Sequence, residues 1–185
     1  MVIVRDICYY LNNFAFQAVI LAVATGFVSY ISGIKKYKDN CNKKDIIRHT
    51  VMLIISVAYA YMVVGITFLS RESGTIRVVN LNIFSTFYHN STSAKYIIEN
   101  IIMFLPYGVI YGAEYGQLKG FSIRFIAKRA VFTSIVIEYS QYIMARGRTE
   151  IDDILTNTIG AVIGWELVNV TIFIFNYAFK RKKSC

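Results

Sequence analysis

The sequence contains few of the residues that build disulfide frameworks, metal sites or nucleophilic catalytic pairs. Its 185 residues include three cysteines, two histidines and one proline. The cysteines, Cys8, Cys41 and Cys185, fall on different sides of the predicted membrane or in the C-terminal tail, so they predict no disulfide framework, and their spacing matches no metal site. Neither His49 nor His89 lies near the polar residues described below, so the sequence offers no Ser-His or Cys-His pair. We therefore expect no metal and no cofactor.

Negative charge is also scarce. Eleven acidic residues stand against 20 basic ones, which leaves a formal net charge of +9. A chain this basic could bind nucleic acid, but most of its basic residues stand in short tracts between apolar runs. That arrangement is typical of membrane proteins, whose cytoplasmic loops are rich in Lys and Arg. We therefore expect no nucleic-acid partner.

Long apolar runs dominate the chain. Hydrophobic residues make up 56% and aromatic residues 15% of it, and the mean hydropathy is +0.48. Five runs are long enough to cross a hydrocarbon core, which takes about 20 helical residues. The sequence therefore predicts an all-α integral membrane protein, a single domain over residues 1–185, with five transmembrane helices. They run approximately over Phe14–Ile34, Val51–Leu69, Ile97–Tyr115, Ile126–Met144 and Ile154–Phe179.

The basic tracts predict the orientation of these helices. Residues 35–48, 117–129 and 180–183 hold most of the Lys and Arg, and all three tracts fall on one side of a five-span chain. The positive-inside rule makes that side cytoplasmic, so the N-terminus lies outside and the C-terminus inside. The first run lacks a basic leader and a cleavage motif, so we interpret it as a retained span. We expect residues 70–96 to lie outside, with the apolar stretch Ile76–Phe84 in the membrane interface.

Polar residues recur near the outer ends of the last three predicted spans. Glu138 and Gln141 are three residues apart, and Asp153 and Asn157 are four apart, so each pair shares a helix face. Ionisable residues inside a membrane are costly and usually face a partner or a wet cavity. Three helices thus bring carboxylates, amides and arginines to one level of the outer leaflet, which predicts a site there. The other members are Glu99, Asn100 and the linker Ala145–Asp153.

Some of these residues could have a purely structural role. Asp152 or Asp153 could cap the N-terminus of the fifth helix, where a carboxylate suits the helix dipole. Glu138 lies in the middle of a helix, where a cap role is excluded, so we interpret it as functional or at least cavity-facing. Glu166 is deep in the fifth span but about 180° around the helix from the predicted site. The sequence gives Glu166 no role.

The polar residues also form an ordered series of motifs. Asn100–Gly108 has the pattern Asn-x-x-x-Phe-x-Pro-x-Gly, and Glu138–Gln141 has the pattern Glu-x-x-Gln. Arg148–Gly164 contains Arg followed by Asp-x-x-x-Asn-x-x-Gly-x-x-x-Gly. This series resembles the VanZ-like family of membrane proteins. The family's upstream elements correspond to Arg71 and to Asn80–Phe84, in which Ile83 takes the place of the usual proline.

The resemblance covers approximately residues 65–179 and carries functional expectations. It implies a multi-pass protein of the bacterial cytoplasmic membrane that lowers susceptibility to teicoplanin and related lipoglycopeptides. Membrane lipids are then the expected partners, and a lipid-linked cell-wall precursor or the lipoglycopeptide itself is the candidate ligand. The resemblance supplies no chemical mechanism, and the sequence leaves the oligomeric state open.

Three functions fit the predicted site. In the first, an outer-leaflet cavity binds or remodels a lipid-linked anionic ligand, held by paired hydrogen bonds from arginine. In the second, an intramembrane enzyme uses Glu138 as general base, with Asp152 or Asp153 as a second carboxylate. In the third, a proton-coupled transporter carries its proton on Glu138, although the spans show no repeated halves. We favour the first, with a ligand held by Arg71, Asn80, Asn100, Gln141, Arg148 and Asn157, and with Arg146 as a rival for the role of Arg148.

Overall fold

A computed structural model describes residues 2–36, 43–71, 74, 77–84, 90–115 and 122–183. The chain divides into two compact units, Met1–Arg71 and Glu72–Cys185. The predicted single domain over residues 1–185 stays a prediction. Several predicted features, among them Cys41, His89 and Cys185, lie outside the described residues.

The first unit is a helical hairpin. Helix α1 runs over Val2–Lys36 and α2 over Lys43–Val64, followed by a π-helical segment at Gly65–Leu69. The helices are antiparallel, because Gly26 of α1 lies against Ile54 and the ring of Phe14 lies against Gly65. Both glycines let an apolar side chain of the other helix reach the backbone. The end of the π-helical segment is held by the Ser70 N–H, which donates to the Gly65 carbonyl at 2.9 Å.

The second unit is built on two helices that run in the same direction. Helix α3 covers Asn90–Tyr115 and α5 covers Ile151–Lys183. Gly160 of α5 lies against the backbone of Ile101, and one turn further along α5 Gly164 lies against Leu105. The contact points advance along both helices together, so α3 and α5 are parallel. Glycine at these positions lets the two backbones approach closely.

Helix α4, Ile123–Ile143, runs antiparallel to both of these helices. The hydroxyls of Tyr107 on α3 and Thr133 on α4 are 3.0 Å apart, and nearer the other end Arg129 donates to the Tyr111 hydroxyl at 3.4 Å. Residues earlier in α4 therefore contact residues later in α3, so the two helices are antiparallel. α4 is the element that returns the chain from the end of α3 to the start of α5.

Two short strands join the ends of these helices. β1, Val78–Asn80, pairs in parallel with β2, Arg148–Glu150, and Val78 is opposite Arg148. The predicted all-helical chain did not include this pairing. Three-residue strands give no periodic signal in a sequence, and the pairing depends on contacts made elsewhere in the unit.

Within the described parts of the chain, four helical segments are long and apolar enough to cross a membrane. They are Val4–Ser32, Lys43–Leu69, Ala94–Tyr115 and Ile151–Ala178. They coincide with four of the five predicted spans and confirm a multi-pass, all-α membrane protein. The remaining predicted span, Ile126–Met144, corresponds to helix α4, whose four charged residues lower its hydropathy below that of the others. A fifth crossing and the orientation stay predictions.

Candidate functional site

The predicted polar residues lie where α4 ends, β2 follows and α5 begins. The end of α4 is closed by two backbone hydrogen bonds: the Arg146 N–H donates to the Gln141 carbonyl at 2.9 Å, and the Ala145 N–H to Tyr142 at 3.2 Å. This pair of bonds is the Schellman arrangement, which places one residue in the left-handed region. Here that residue is Ala145, with φ of 50°, although glycine usually occupies the position. The turn fixes the direction in which β2 leaves α4.

Glu138 is tied to β2. Its side chain is buried, with 4% relative exposure, and its Oε2 accepts the backbone N–H of Glu150 at 3.1 Å. The Thr149 hydroxyl donates to the Glu138 backbone carbonyl at 3.3 Å. A buried backbone N–H without an acceptor costs about 1–3 kcal/mol, so this carboxylate stabilises the junction between α4 and β2.

The two aspartates at the start of α5 hold two different elements. Buried Asp152 accepts the backbone N–H of Phe84 on Oδ1 at 2.8 Å, and Phe84 itself has a positive φ of 66°. Asp153 accepts the Asn100 side-chain N–H on Oδ1 at 2.8 Å, which links α5 to α3. Both aspartates lie in the first turn of α5, where carboxylates also favour the helix dipole.

Asn157, one turn after Asp153 on α5, lies further inside the bundle and contacts α4. Its Nδ2 donates to the Ser134 hydroxyl at 2.8 Å, and both side chains are buried. Its Oδ1 is also buried and has no hydrogen-bond partner among the described residues. Ser134, Glu138 and Gln141 therefore form one buried polar face of α4. Ser134 was not among the predicted site residues, although its position four residues before Glu138 puts it on that face.

The arginines are arranged less tightly. The Arg148 side chain is 66% exposed, and its Nε lies 3.5 Å from Oε1 of Glu150. Arg146 is half-buried, and the choice between the two arginines stays open. Arg71 is the last residue of the first unit, so its predicted part in the site stays a prediction. Glu150 belongs to the linker included in the predicted site, but it was assigned no role of its own, because its position opposite Asn80 depends on the strand pairing.

The segment that follows β1 is apolar and exposed. Leu81, Ile83 and Phe84 are all exposed, while the Asn80 side chain accepts the backbone N–H of Asn82 at 3.2 Å. Asn80 therefore stabilises the turn that presents these side chains. The hydrogen bond that the Phe84 N–H donates to Asp152 attaches the segment to the start of α5. The exposed apolar side chains suit the predicted position in the membrane interface.

Two other features complete the geometry of the bundle end. Lys95 and Glu99, one turn apart on α3, form an ion pair with 3.8 Å between Nζ and Oε1. Among the described residues, no group of three His, Cys, Asp or Glu side chains comes together to hold a metal.

Together these features define a multi-pass helical membrane protein with a hydrogen-bonded cluster of polar side chains at one end of a three-helix bundle. The VanZ/LLP1 family matches residues 47–175, which is more than half of the chain, and the protein belongs to that family. Protein VanZ of Enterococcus faecium is 32% identical to it over 75 residues, which make up 40% of this chain and 45% of that protein. The matched part is thus less than half of that relative's length. No solved structure matches the chain.

Proposed function

We propose that this protein resides in the bacterial cytoplasmic membrane and lowers susceptibility to teicoplanin-type lipoglycopeptides by binding or remodelling a lipid-linked envelope ligand. The proposal rests on one observation above all: Glu138, Asp152 and Asp153 lie at one end of the bundle, each held by a hydrogen bond from a different element. A site whose side chains are held in place before the ligand arrives loses little entropy on binding. Membership of the VanZ/LLP1 family supports the resistance phenotype.

The same proposal includes α4 as a fifth crossing. α3 and α5 are parallel and are each long and apolar enough to span a membrane. Two parallel spans must both start on one side of the membrane, so the chain between them has to cross back. α4 is the helix in that stretch, and its 21 residues extend about 31 Å at a rise of ~1.5 Å per residue, which matches a hydrocarbon core of about 30 Å. In this arrangement the polar site faces outward.

Arg148 is the residue we assign to the anionic part of the ligand. Its guanidinium has five N–H donors, and its ion pair with Glu150 is formed through Nε. With most of the side chain exposed, the remaining donors can bind a phosphate or carboxylate in the bidentate manner typical of arginine. Asn100, Gln141 and Asn157 supply amides near the carboxylates, and they would bind the polar substituents of the same ligand.

The second candidate is an intramembrane enzyme that acts on an envelope lipid or wall precursor. Its supporting observation is that Glu138 and Asp152 are both buried carboxylates, the environment in which a general base is usually found. Each of them, however, already accepts a backbone N–H that fixes a strand or turn. These hydrogen bonds give both carboxylates a structural reason to be buried, so we rank the enzyme second. A proton-coupled transporter stays the third hypothesis.

The test replaces Glu138 and measures teicoplanin susceptibility in a sensitised host at matched membrane levels. In a binding protein, Glu138→Gln should keep part of the protection, because its amide oxygen can still accept the Glu150 N–H. Glu138→Ala should lose most of it, since that N–H then has no acceptor. The control is Glu114→Gln, the same substitution near the end of α3 that lies away from Asn100 and the polar site. It should leave protection unchanged.

The remaining outcomes separate the hypotheses. If Glu138→Gln abolishes protection as completely as Ala does, an amide cannot replace the carboxylate, and the enzyme or the proton-coupled transporter becomes the better assignment. Full protection by Glu138→Ala would contradict any function for this site.

A further inference from the structure

Residues 81–84 form a short loop whose two ends are attached to the same part of the second unit. At one end, Asn80 of β1 lies opposite Glu150 of β2. At the other end, the Phe84 N–H donates to Oδ1 of Asp152 at 2.8 Å. Glu150 and Asp152 are two residues apart, at the junction between β2 and α5. The loop therefore begins and ends at the start of α5, beside the polar site.

The backbone of Phe84 is strained where it makes this contact. Its φ is 66°, in the left-handed region that bulky side chains seldom adopt. Such conformations persist only where the surrounding structure holds them, and they are concentrated at ligand clamps and switch segments. The hydrogen bond to Asp152 acts directly on the strained residue. Breaking that hydrogen bond lets the backbone of Phe84 relax, so the strain favours opening of the loop.

The oxygen that holds the loop belongs to one of the three carboxylates of the proposed site. Asp152 is buried, with 1% relative exposure, and its Oδ1 accepts a hydrogen bond from the chain's own backbone. An ionised carboxylate can only accept hydrogen bonds. A ligand group that binds Oδ1 in the same direction must therefore be a hydroxyl or an N–H, and it must replace the Phe84 N–H.

We propose that the hydrogen bond between Phe84 and Asp152 is an autoinhibitory contact, in which the loop occupies a carboxylate of the site until a ligand hydroxyl or N–H replaces it. This inference rests on the proposed function, because it requires that the site binds a ligand. One hydrogen bond to Oδ1 is lost and one is formed, while the strain at Phe84 is released and lowers the cost of the replacement. Before the ligand arrives, the contact keeps Asp152 in position.

Two substitutions at position 84 separate the backbone strain from the aromatic ring. Phe84→Ala removes the ring but keeps the strain, whereas Phe84→Gly removes both, because glycine adopts the left-handed region readily. The N–H that binds Asp152 is present in both variants. Glycine should favour the closed loop about fivefold relative to alanine, after allowance for its greater freedom in the open loop.

Loop opening is measured by hydrogen–deuterium exchange of the full-length protein in lipid nanodiscs. The amide of residue 84, corrected for its intrinsic rate, should exchange about fivefold more slowly in Phe84→Gly than in Phe84→Ala, because it exchanges from the open loop. Asp152→Ala removes the acceptor and should make the Phe84 amide exchange faster than in the wild type. Equal exchange in the two position-84 variants would mean that strain does not control the loop, and the proposal would be wrong.

The functional consequence is measured as teicoplanin susceptibility in a sensitised host at graded expression. Apparent affinity falls with the fraction of protein in the open state, so Phe84→Gly should require about fivefold more protein than Phe84→Ala for half-maximal protection. A purely structural contact predicts that the glycine variant protects at least as well as the alanine variant. That result, or full protection by Asp152→Ala, would overturn the autoinhibitory contact and leave the proposed function standing. A wild-type chain that gives no protection would instead remove the proposed function, and this inference with it.

Discussion

Adding one methyl group at Gly108 should force α3 and α5 apart. A Cβ built on Gly108 would overlap the carbonyl oxygen of Ala161 and lie 2.7 Å from the backbone nitrogen of Trp165. Both neighbours are backbone atoms of α5, so no side chain can rotate to make room. Overpacking typically costs 1–3 kcal/mol, and a backbone clash belongs at the upper end, about 3 kcal/mol. Alanine recovers about 1 kcal/mol of helix propensity, so Gly108→Ala should lower the free energy of unfolding by about 2 kcal/mol.

Gly112, one turn further along α3, supplies the matched control. A Cβ there would lie 3.0 Å from Cβ of Val168, a side-chain contact at which a shift of a few tenths of an ångström is enough. The cost of that shift, about 1 kcal/mol, is offset by the gain in helix propensity. Gly112→Ala should therefore leave the free energy of unfolding unchanged within about 0.5 kcal/mol, the usual range for a mild substitution.

The measurement is reversible unfolding in mixed micelles, followed by tryptophan fluorescence. The chain has a single tryptophan, and Trp165 is buried beside Gly108, so the probe reports on this helix pair directly. Equal stabilities of Gly108→Ala and Gly112→Ala would refute the close parallel packing of α3 on α5. They would also remove the main support for α4 as a crossing helix.

Three further predictions follow from the second unit. With α4 as a fifth crossing, an impermeant thiol reagent added to intact cells should label Met144→Cys but not Ser122→Cys, each in a variant without native cysteines; equal labelling at both ends would contradict the crossing. Ala145→Gly should raise the free energy of unfolding by about 1 kcal/mol in the same micelle assay, because a left-handed alanine is strained and glycine is not; a lower stability would contradict the turn described here. Arg148→Lys should weaken protection against teicoplanin nearly as much as Arg148→Ala, since lysine lacks the planar donor fork. Full protection by the Arg148→Lys variant would mean that a positive charge alone is required at this position. Full protection by both variants would favour Arg146 as the ligand-binding arginine.

The level of the polar site could be predicted from sequence because helix periodicity determines it. The spacing of Glu138 and Gln141 and that of Asp153 and Asn157 fix which side chains share a face. Helix lengths and the short linker then place the two pairs at the same end of the helix bundle. The observed hydrogen bonds, donated by Asn157 to Ser134 and by the Glu150 N–H of β2 to Glu138, lie at that end.

The partners of these residues could not be predicted in the same way. Whether Asp152 caps its own helix or holds a distant segment depends on a contact with Phe84, which is 68 residues away in sequence. The pairing of β1 with β2 also depends on contacts between residues far apart in sequence, because a strand of three residues has no periodicity of its own. The glycine spacing of α3 and α5 predicts tight packing, but it does not say which helices pair or in which direction. Those facts depend on long-range contacts, and one sequence does not encode them locally.

The parallel pairing of α3 with α5 also constrains how the ribosome delivers this chain to the bilayer. Insertion machinery releases a segment into lipid according to its hydrophobicity. The hydrophobicity of α4 is low because of its charged residues. The groups that satisfy its buried face, the Glu150 N–H and Asn157, lie downstream of it, so they emerge only after α4 has been synthesised. In the five-span arrangement proposed above, α4 must therefore be retained at the translocon until the start of α5 arrives. The last three helices then enter the membrane as one cooperative group.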